Sequence, residues 1–208
     1  IRLGAISADK KHPPGIHLVT DSTSDLPSDL KQNPNLGVIP VTVQIEGETF
    51  IDGVNLEPEG FYRQLRQTSS FPTTSPASAE DIGALFRKTE AGKEILALFP
   101  SAELSQTFQN AVTARDAGRE QMIAKRSQRP GESPPPRIEL LDSRLVSTAM
   151  GLLVVEALDR IEEGWPLDRI RTHVERIIPT VRSFFMVDTL EYMQRGGTIG
   201  RMRDAMGT

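Results

Sequence analysis

Cysteine is absent from the 208 residues, which removes disulfide scaffolds, thiol nucleophiles and thiolate metal sites together. Histidine is almost as scarce: His12, His17 and His173 are the full complement of three, too few and too scattered for a histidine metal cluster. Basic charge is not in excess either. The 24 Lys and Arg residues face 28 Asp and Glu, a net charge of −4 with a pI near 5.5, so nucleic acid is not expected as a partner. No apolar run approaches the ~18–20 residues of a membrane-spanning helix, and no signal-peptide pattern opens the sequence. Phosphate loops of the Walker type are lacking, and Gly196-Gly197-Thr198-Ile199-Gly200 does not have dinucleotide-fingerprint spacing; it reads as a helix end and turn. There is no Gly-x-Ser-x-Gly nucleophile elbow.

What is present is globular in character. Hydrophobic residues make up 38 % of the chain, with 16 glycines, which excludes wholesale disorder, and the length suits one large domain or one and a half ordinary ones. The chain begins at Ile1 and stops at Gly207-Thr208, and it reads as a fragment, or as a longer protein whose tail is missing.

Residues 1–15 lack periodicity and are expected to be a flexible arm. Ile16 to Thr20 is a strand ending in Asp21-Ser22-Thr23-Ser24-Asp25, and Leu26-Pro27-Ser28-Asp29-Leu30 reads as a helix start. Leu36 to Ile45 is a β-branched strand candidate interrupted by Pro40, hence an edge or bulge. Glu46-Gly47 is a turn that lets Thr49-Phe50-Ile51 pair back as a hairpin. Glu57-Pro58-Glu59 opens a helix with Phe61 and Leu65 four apart. Ser78-Ala79-Glu80-Asp81 resembles a capping box before Ile82, Leu85 and Phe86. Glu94 to Phe99 is a strand, and Phe108, Ala111 and Val112 start a helix running towards Ala124. Lys125 to Pro136 is a polar, proline-rich connector.

Ile138 to Leu141 is another strand. Leu145 to Ile161 is apolar on nearly every face, the mark of a buried helix between layers or domains. Gly164 ends it, Pro166 starts an amphipathic helix with Leu167, Ile170, Val174 and Ile177, and Pro179 closes that. Ser183 to Val187 is a last strand, followed by a short helix, Leu190 to Gln194. Alternating strands and helices define an α/β fold, with a mostly parallel sheet flanked by helices and then the start of a second, incomplete α/β domain. The boundary falls near Gly164: an N-terminal domain over 16–164 with its connector at 125–136, and the beginning of a second, truncated domain over 165–208.

The strand ends share one chemistry. Val19-Thr20 runs into Asp21-Ser22-Thr23-Ser24, Leu98-Phe99 into Ser101, Ser105 and Thr107, Leu140-Leu141 into Asp142-Ser143, and Met186-Val187 into Asp188-Thr189. A further hydroxyl run, Thr73-Thr74-Ser75, precedes the helix capped by Ser78. Ligands of open α/β sheets sit outside the carboxyl ends of the strands, where helix N-termini offer free N–H groups. Hydroxyls there make a neutral, donor-rich cup for a small anion such as a carboxylate. Ser, Thr and Asp are also the preferred N-cap residues, and for any one strand end capping accounts for them. Thr73-Thr74-Ser75 together with Ser101 and Ser105 exceeds what two caps need. Asp21, Asp25 and Asp142 suit either a hard cation or caps and turns. His17, inside a strand, is expected to pack, and His173 to be solvated or half-buried.

An ordered series of short motifs resembles the DegV family, the bacterial fatty-acid-binding proteins that include the lipid-carrying subunit of fatty acid kinase. It comprises Val19-Thr20-Asp21-Ser22-Thr23-Ser24-Asp25-Leu26-Pro27, Val38-Ile39-Pro40-Val41, Asp52-Gly53, Phe61-Tyr62, Thr74-Ser75-Pro76-Ala77-Ser78, Leu104-Ser105-Gln106-Thr107-Phe108, Asp142-Ser143, Gly151-Leu152-Leu153 and Asp188-Thr189-Leu190-Glu191-Tyr192 with Gly196-Gly197. The resemblance implies a DegV-like N-terminal domain and a second α/β domain that together enclose one long-chain fatty acid. The carboxyl would be held by Thr74 and Ser105, with Ser75, Ser101 and Ser22 of the Asp21-Ser22 loop as further candidates. It also implies a cytoplasmic, non-catalytic carrier that presents its lipid to an ATP-dependent fatty acid kinase subunit for acyl-phosphate formation. No membrane span is expected, and transient membrane contact stays open. No cofactor is implied beyond the bound lipid.

The chain departs from the family pattern at Gln106, where glycine is usual, at Pro76-Ala77, where Gln-Pro is usual, and at Thr198, where a basic residue is usual. An apolar wall for the acyl tail is sought among Phe71, Leu104, Phe108, Met150, Phe184, Phe185 and Met186. Two rivals remain: a serine-dependent hydrolase of small esters using Ser105 or Ser75, and a nucleotide or phosphate binder at the same strand ends.

Overall fold

Residues 15–89, 93–128 and 136–186 are described by the computed structural model of the chain. The elements follow in the order β1 (Ile16–Asp21), β2 (Leu36–Ile39), β3 (Thr42–Ile45), β4 (Glu48–Ile51), α1 (Pro58–Gln67), β5 (Thr73–Ser75), α2 (Ala79–Lys88), β6 (Glu94–Phe99), α3 (Thr107–Gln128), β7 (Ile138–Asp142), α4 (Ser147–Glu162) and α5 (Leu167–Ile177), with short 3-10 turns at Ser22–Ser24, Leu30–Gln32 and Ile178–Thr180.

Two sheets result. The main one has the order β2-β1-β6-β7 and is parallel throughout, with Val19 beside both Gly37 and Ala97 and Leu98 beside Leu141. Successive side chains of a strand point to opposite faces, and the core divides accordingly. Leu18, Leu96 and Leu98 face α4 and α5 through Leu153, Val154, Ala157, Leu167, Ile170 and Val174. Val19, Ile95, Ala97 and Phe99 face α2 and α3 through Ile82, Phe86, Ala111 and Ala114. The central strand β6 is therefore apolar at every position from Ile95 to Phe99, each fully buried, as a parallel strand covered on both sides requires.

The second sheet, β4-β3-β5, is antiparallel. Its hairpin turns at Glu46 and Gly47, both at positive φ (53° and 85°), the backbone of a two-residue turn matched to strand twist. Val43 and Ile45 pack with Leu56, Phe50 and Phe61 in a separate small core.

Several expectations are corrected. Leu36 to Ile45 is two strands in two sheets, not one interrupted strand: Pro40 has no N–H to continue a ladder, and the next amide, Val41, donates instead to Ser22 Oγ at 3.0 Å. The helix start at Leu26-Pro27 is reduced to a single 3-10 turn over Leu30–Gln32, because Pro34 bars helical backbone at the residue before it. Thr73-Thr74-Ser75, the hydroxyl run before α2, forms the short strand β5, which the sequence reading did not assign. α3 continues to Gln128, past the start of the connector. Ser183 to Met186 carries no strand; Val187, Asp188-Thr189, Leu190 to Gln194 and Gly196-Gly197 lie outside the described residues, as does the arm over 1–14. Past Gly164, α5 buries Leu167, Ile170 and Val174 in the same cluster as Leu96 and Leu98, so the helix that follows the proposed boundary belongs to the first core.

α4 is buried along Ala149, Met150, Gly151, Leu153, Val154, Ala157 and Leu158, while Leu152 stands 64 % exposed. Gly151 lets this helix touch the turn after β1: a Cβ there would lie 2.5 Å from the Ser24 carbonyl oxygen. Backbone cannot yield as a flexible side chain does. Gly151→Ala is expected to destabilise the fold by about 1–3 kcal/mol through overpacking, read as a lower urea midpoint; an unchanged midpoint would show that α4 can move away from the turn freely.

Candidate functional site

The strand order places the site. The chain leaves β1 towards β2 on one side, and leaves β6 through α3 towards β7 on the other. Adjacent strands whose connections diverge in this way open a crevice at their carboxyl ends, the preferred ligand position in open parallel sheets. Ser22 follows β1 and Ser101, Ser105 and Thr107 follow β6, so these residues share that crevice edge.

Local chemistry shapes the β1 exit. Asp21 Oδ1 accepts hydrogen bonds from Thr23 N at 3.0 Å and Thr23 Oγ1 at 2.5 Å, capping the 3-10 turn. Ser24 Oγ donates to the Asp21 carbonyl at 2.7 Å. Asp25 takes left-handed backbone (φ 49°) and accepts from Ser147 Oγ at 2.5 Å. Ser22 Oγ accepts from Val41 N, so its hydroxyl oxygen holds the junction between the two sheets.

At the β6 exit, Ser101 O accepts from the amides of Leu104 and Ser105 at 3.0 and 2.9 Å, folding residues 101–105 into a tight turn. Ser101 is buried and its Oγ accepts from Glu103 N at 3.4 Å. Ser105, half-buried, accepts from Thr107 N at 3.2 Å, and its hydroxyl lies 3.1 Å from the Thr107 hydroxyl. Asp142, at the end of β7, accepts from the amides of Ala102 and Arg144 at 3.2 and 2.9 Å. Asp21, Asp25 and Asp142 are thus each engaged by caps or turns, and among the described residues no group of three or more acidic or histidine side chains is placed to hold a metal ion.

Thr74 and Ser75 sit elsewhere, on β5. Thr74 pairs with Val43 and Ser75 with Thr42, so the two side chains point to opposite faces of the small sheet. Both are exposed. The strand's exit is fastened to the β6 side of the crevice, because Asn110 Nδ2 of α3 donates to the Ala77 carbonyl at 2.8 Å. Among the wall candidates, Met150 is fully buried core and Phe108 packs against the α2–α3 layer. Phe71 and Leu104 are half-buried. Phe184 and Met186 are 92 % and 96 % exposed.

Two of the strand-end residues named from sequence, neither of them a primary head-group candidate, are buried at the crevice. Asp21 and Thr107 are fully buried, and Asp21 Oδ2 has no hydrogen-bond partner. Burial pushes the Asp21 carboxyl above the ordinary Asp range; hydrogen bonds from Thr23 and the nearby Thr107 hydroxyl pull it back, and the charge of Asp52 adds to the rise. Their sequence signal was an acid after β1 and a hydroxyl after β6, residue types that caps and turns share. The described histidines stand apart. Burial and the charge of Lys93 lower the pKa of His17, near the start of β1, and His173 Nε2 lies 2.7 Å from Glu156 Oε1.

The architecture is that of a three-layer α/β protein, a parallel sheet with helices on both faces and a small antiparallel sheet beside it. More particularly, the chain belongs to the DegV family, whose model, described as an uncharacterised protein of that family, matches residues 15–208. A DegV domain-containing protein of Caldanaerobacter subterraneus is 34 % identical over 193 residues, covering 92 % of this chain and 63 % of the relative. A DegV family protein from Thermus thermophilus, solved for its fatty acid binding, superposes with a TM-score of 0.74 at 34 % identity over 93 % of this chain and 64 % of that one. DegV of Bacillus subtilis, a fatty acid binding protein, gives 0.79 at 25 % identity over 94 % and 64 %. The chain therefore spans just under two thirds of the length of these relatives.

The raised Asp21 carboxyl has a stability consequence. A carboxyl whose pKa is higher folded than unfolded opposes folding above the ordinary Asp range, and that penalty is absent below it. Asp21→Asn keeps an acceptor for Thr23 and removes the charge. Its melting temperature is expected to exceed the parent's at pH 7 and to match it near pH ~3–4; a lower value at pH 7 would contradict the sign.

Proposed function

We propose that the chain binds one long-chain fatty acid, its tail buried and its carboxyl held by Ser and Thr hydroxyls at the strand-end crevice. The observation that carries this reading is the hydroxyl pair of Ser105 and Thr107 at the start of α3, set at the switch point of the sheet. Kinship to relatives solved as fatty-acid binders supports it. The proposed primary head-group contacts are Ser105 at the crevice edge and Thr74 on β5, whose exit Asn110 fastens to α3, with Ser75, Ser101 and Ser22 in support. Ser22 and Ser101 already accept backbone hydrogen bonds, so they shape the crevice more than they grip the ligand.

Magnitudes divide the work. Burying ~12 methylenes at ~0.8 kcal/mol each gains on the order of 10 kcal/mol before entropy costs, whereas a hydrogen bond to a charged carboxylate contributes ~1.5–3 kcal/mol. The tail supplies affinity and the hydroxyls fix which end faces out. Such a protein performs no chemistry on the lipid: it presents the carboxyl to an ATP-dependent fatty acid kinase subunit, which forms the acyl phosphate. The hydrolase alternative needs a general base within hydrogen-bond reach of the serine. His17 lies four residues up β1 from Asp21, roughly 13 Å from the crevice edge at ~3.3 Å per residue, and His173 is occupied by Glu156 on the helical layer.

Full-length protein is expected to carry a fatty acid released on denaturation and seen by mass spectrometry. Thr74→Val combined with Ser105→Ala is expected to lower occupancy about tenfold or more, the loss of one to two charged hydrogen bonds, with the melting temperature little changed. Full occupancy in that variant would remove both hydroxyls from the site, and ester turnover abolished by Ser105→Ala alone would favour the hydrolase.

A further inference from the structure

Among the described residues the main sheet is open along β2. That strand pairs with β1 alone and stands at the end of the order β2-β1-β6-β7. Leu18 N donates to the Asn35 carbonyl at 2.7 Å. In a parallel ladder Asn35, Gly37 and Ile39 then turn their backbone polar groups to β1, and Val38 turns its amide and carbonyl outward. An edge with free backbone groups is a template for another strand. Pro40 limits this one, having no N–H to extend a ladder past Val38.

The helix beside that edge is open on the same side. α2 buries Ile82 and Phe86 against the sheet and Gly83 against α3, where a Cβ would lie 3.8 Å from Ala114 Cβ. Leu85 rests on β2, 2.9 Å from where a Cβ on Gly37 would stand. Asp81, Ala84, Leu85 and Lys88 are spaced i, i+3, i+4 and i+7, so they share the remaining face. With Val38, Pro40 and Ile51 they line a groove of about 280 Å3. Ala84 and Leu85 are half-buried there, Ile51 is 37 % exposed, and Asp81 and Lys88 are exposed. Ser78 Oγ donates to Asp81 Oδ2, which leaves Oδ1 for a cation, and Lys88 has no ion pair among the described residues.

The order of charges on this face selects the occupant. Along α2 the face runs acid, apolar, apolar, base; on an antiparallel copy it runs in reverse, so each Asp81 meets a Lys88. Such self-complementarity is what a two-fold dimer requires. One two-fold axis, perpendicular to the main sheet at Val38, serves both elements. It pairs β2 antiparallel with its copy, the two Val38 residues exchanging N–H···O bonds, and it lays α2 antiparallel to its mate on the same face of the sheet. Neighbouring strands lie ~4.8 Å apart and packed helices ~8–10 Å, so helices above two joined edges meet at packing distance. An unrelated strand could satisfy Val38 but would leave the charge order of α2 unmatched. We propose that the chain forms a symmetric dimer through β2 and α2, which doubles the four-stranded sheet and lies away from the crevice between β1 and β6.

Analytical ultracentrifugation of the full chain over ~1–200 µM reads the proposal as a mass that rises from one chain to two with concentration. Lys88→Glu sets acid against acid at both ends of the interface and Asp81→Lys sets base against base, so each alone is expected to weaken the dimer about tenfold or more. Mixed in equal amounts, the two variants are expected to regain the parent's affinity as a heterodimer, since one then carries both acids and the other both bases. Ala84→Arg, at the crossing point of the helices, is expected to hold the chain monomeric with its circular dichroism unchanged. If Asp81→Lys unfolds through loss of the Ser78 contact, Lys88→Glu and Ala84→Arg decide. A parent that stays monomeric at ~200 µM overturns the dimer and leaves the groove to a different partner. A dimer indifferent to these substitutions, or a mixture no tighter than either variant alone, places the contact on another face and equally overturns it.

Discussion

A parallel hydrogen-bond ladder sends every strand out of the main sheet at the same edge, and the site depends on that constraint. β1, β6 and β7 end in Asp21, Phe99 and Asp142, and because neighbouring strands are only ~4.8 Å apart, the residues that follow them form one rim. The order β2-β1-β6-β7 then splits the connections between β1 and β6, which opens the rim into a crevice. An antiparallel sheet of the same residues would alternate its ends and scatter these groups over two edges.

The same rim shows how closely structural and functional roles overlap. Most of its polar side chains are spent on the backbone: Asp21 Oδ1 caps a turn, Ser22 holds the sheet junction, and Asp142 gathers two amides. What is left after these duties includes the Ser105–Thr107 pair, the Thr20 hydroxyl and the second oxygen of Asp21. On the proposed function, a carboxylate ligand would meet few groups there, with orientation set by a small number of protons and the strength of binding by apolar contact.

Local signals were read where they were local. The Ser78 cap appears as expected, with Ser78 Oγ accepting from Asp81 N and donating to Asp81 Oδ2, because a capping box is complete within four residues. The Glu46-Gly47 hairpin and the β6 strand also fall where composition and period place them. Leu36 to Ile45 did not, since whether Pro40 bulges a strand or ends it depends on which distant strand takes up each half. Ser183 to Met186 has strand-forming residues but no ladder partner among the described residues. Of the candidate site, the positions of Ser22 after β1 and of Ser101 and Ser105 after the adjacent β6 were legible from strand ends alone. The opposed orientations of Thr74 and Ser75 were not, because they follow from a register with β3.

By itself the sequence determined the family, the α/β alternation and the chemical character of the strand ends, since motif order, hydrophobic period and capping residues are properties of short stretches of chain. Tertiary structure decided which of those polar groups remain available. It divided Leu36 to Ile45 between two sheets, put α5 on the first core, and closed the helical layers over Asp21 so that one carboxylate oxygen lost both water and partner. Burial and register are made by residues far apart in sequence, and no local pattern records them.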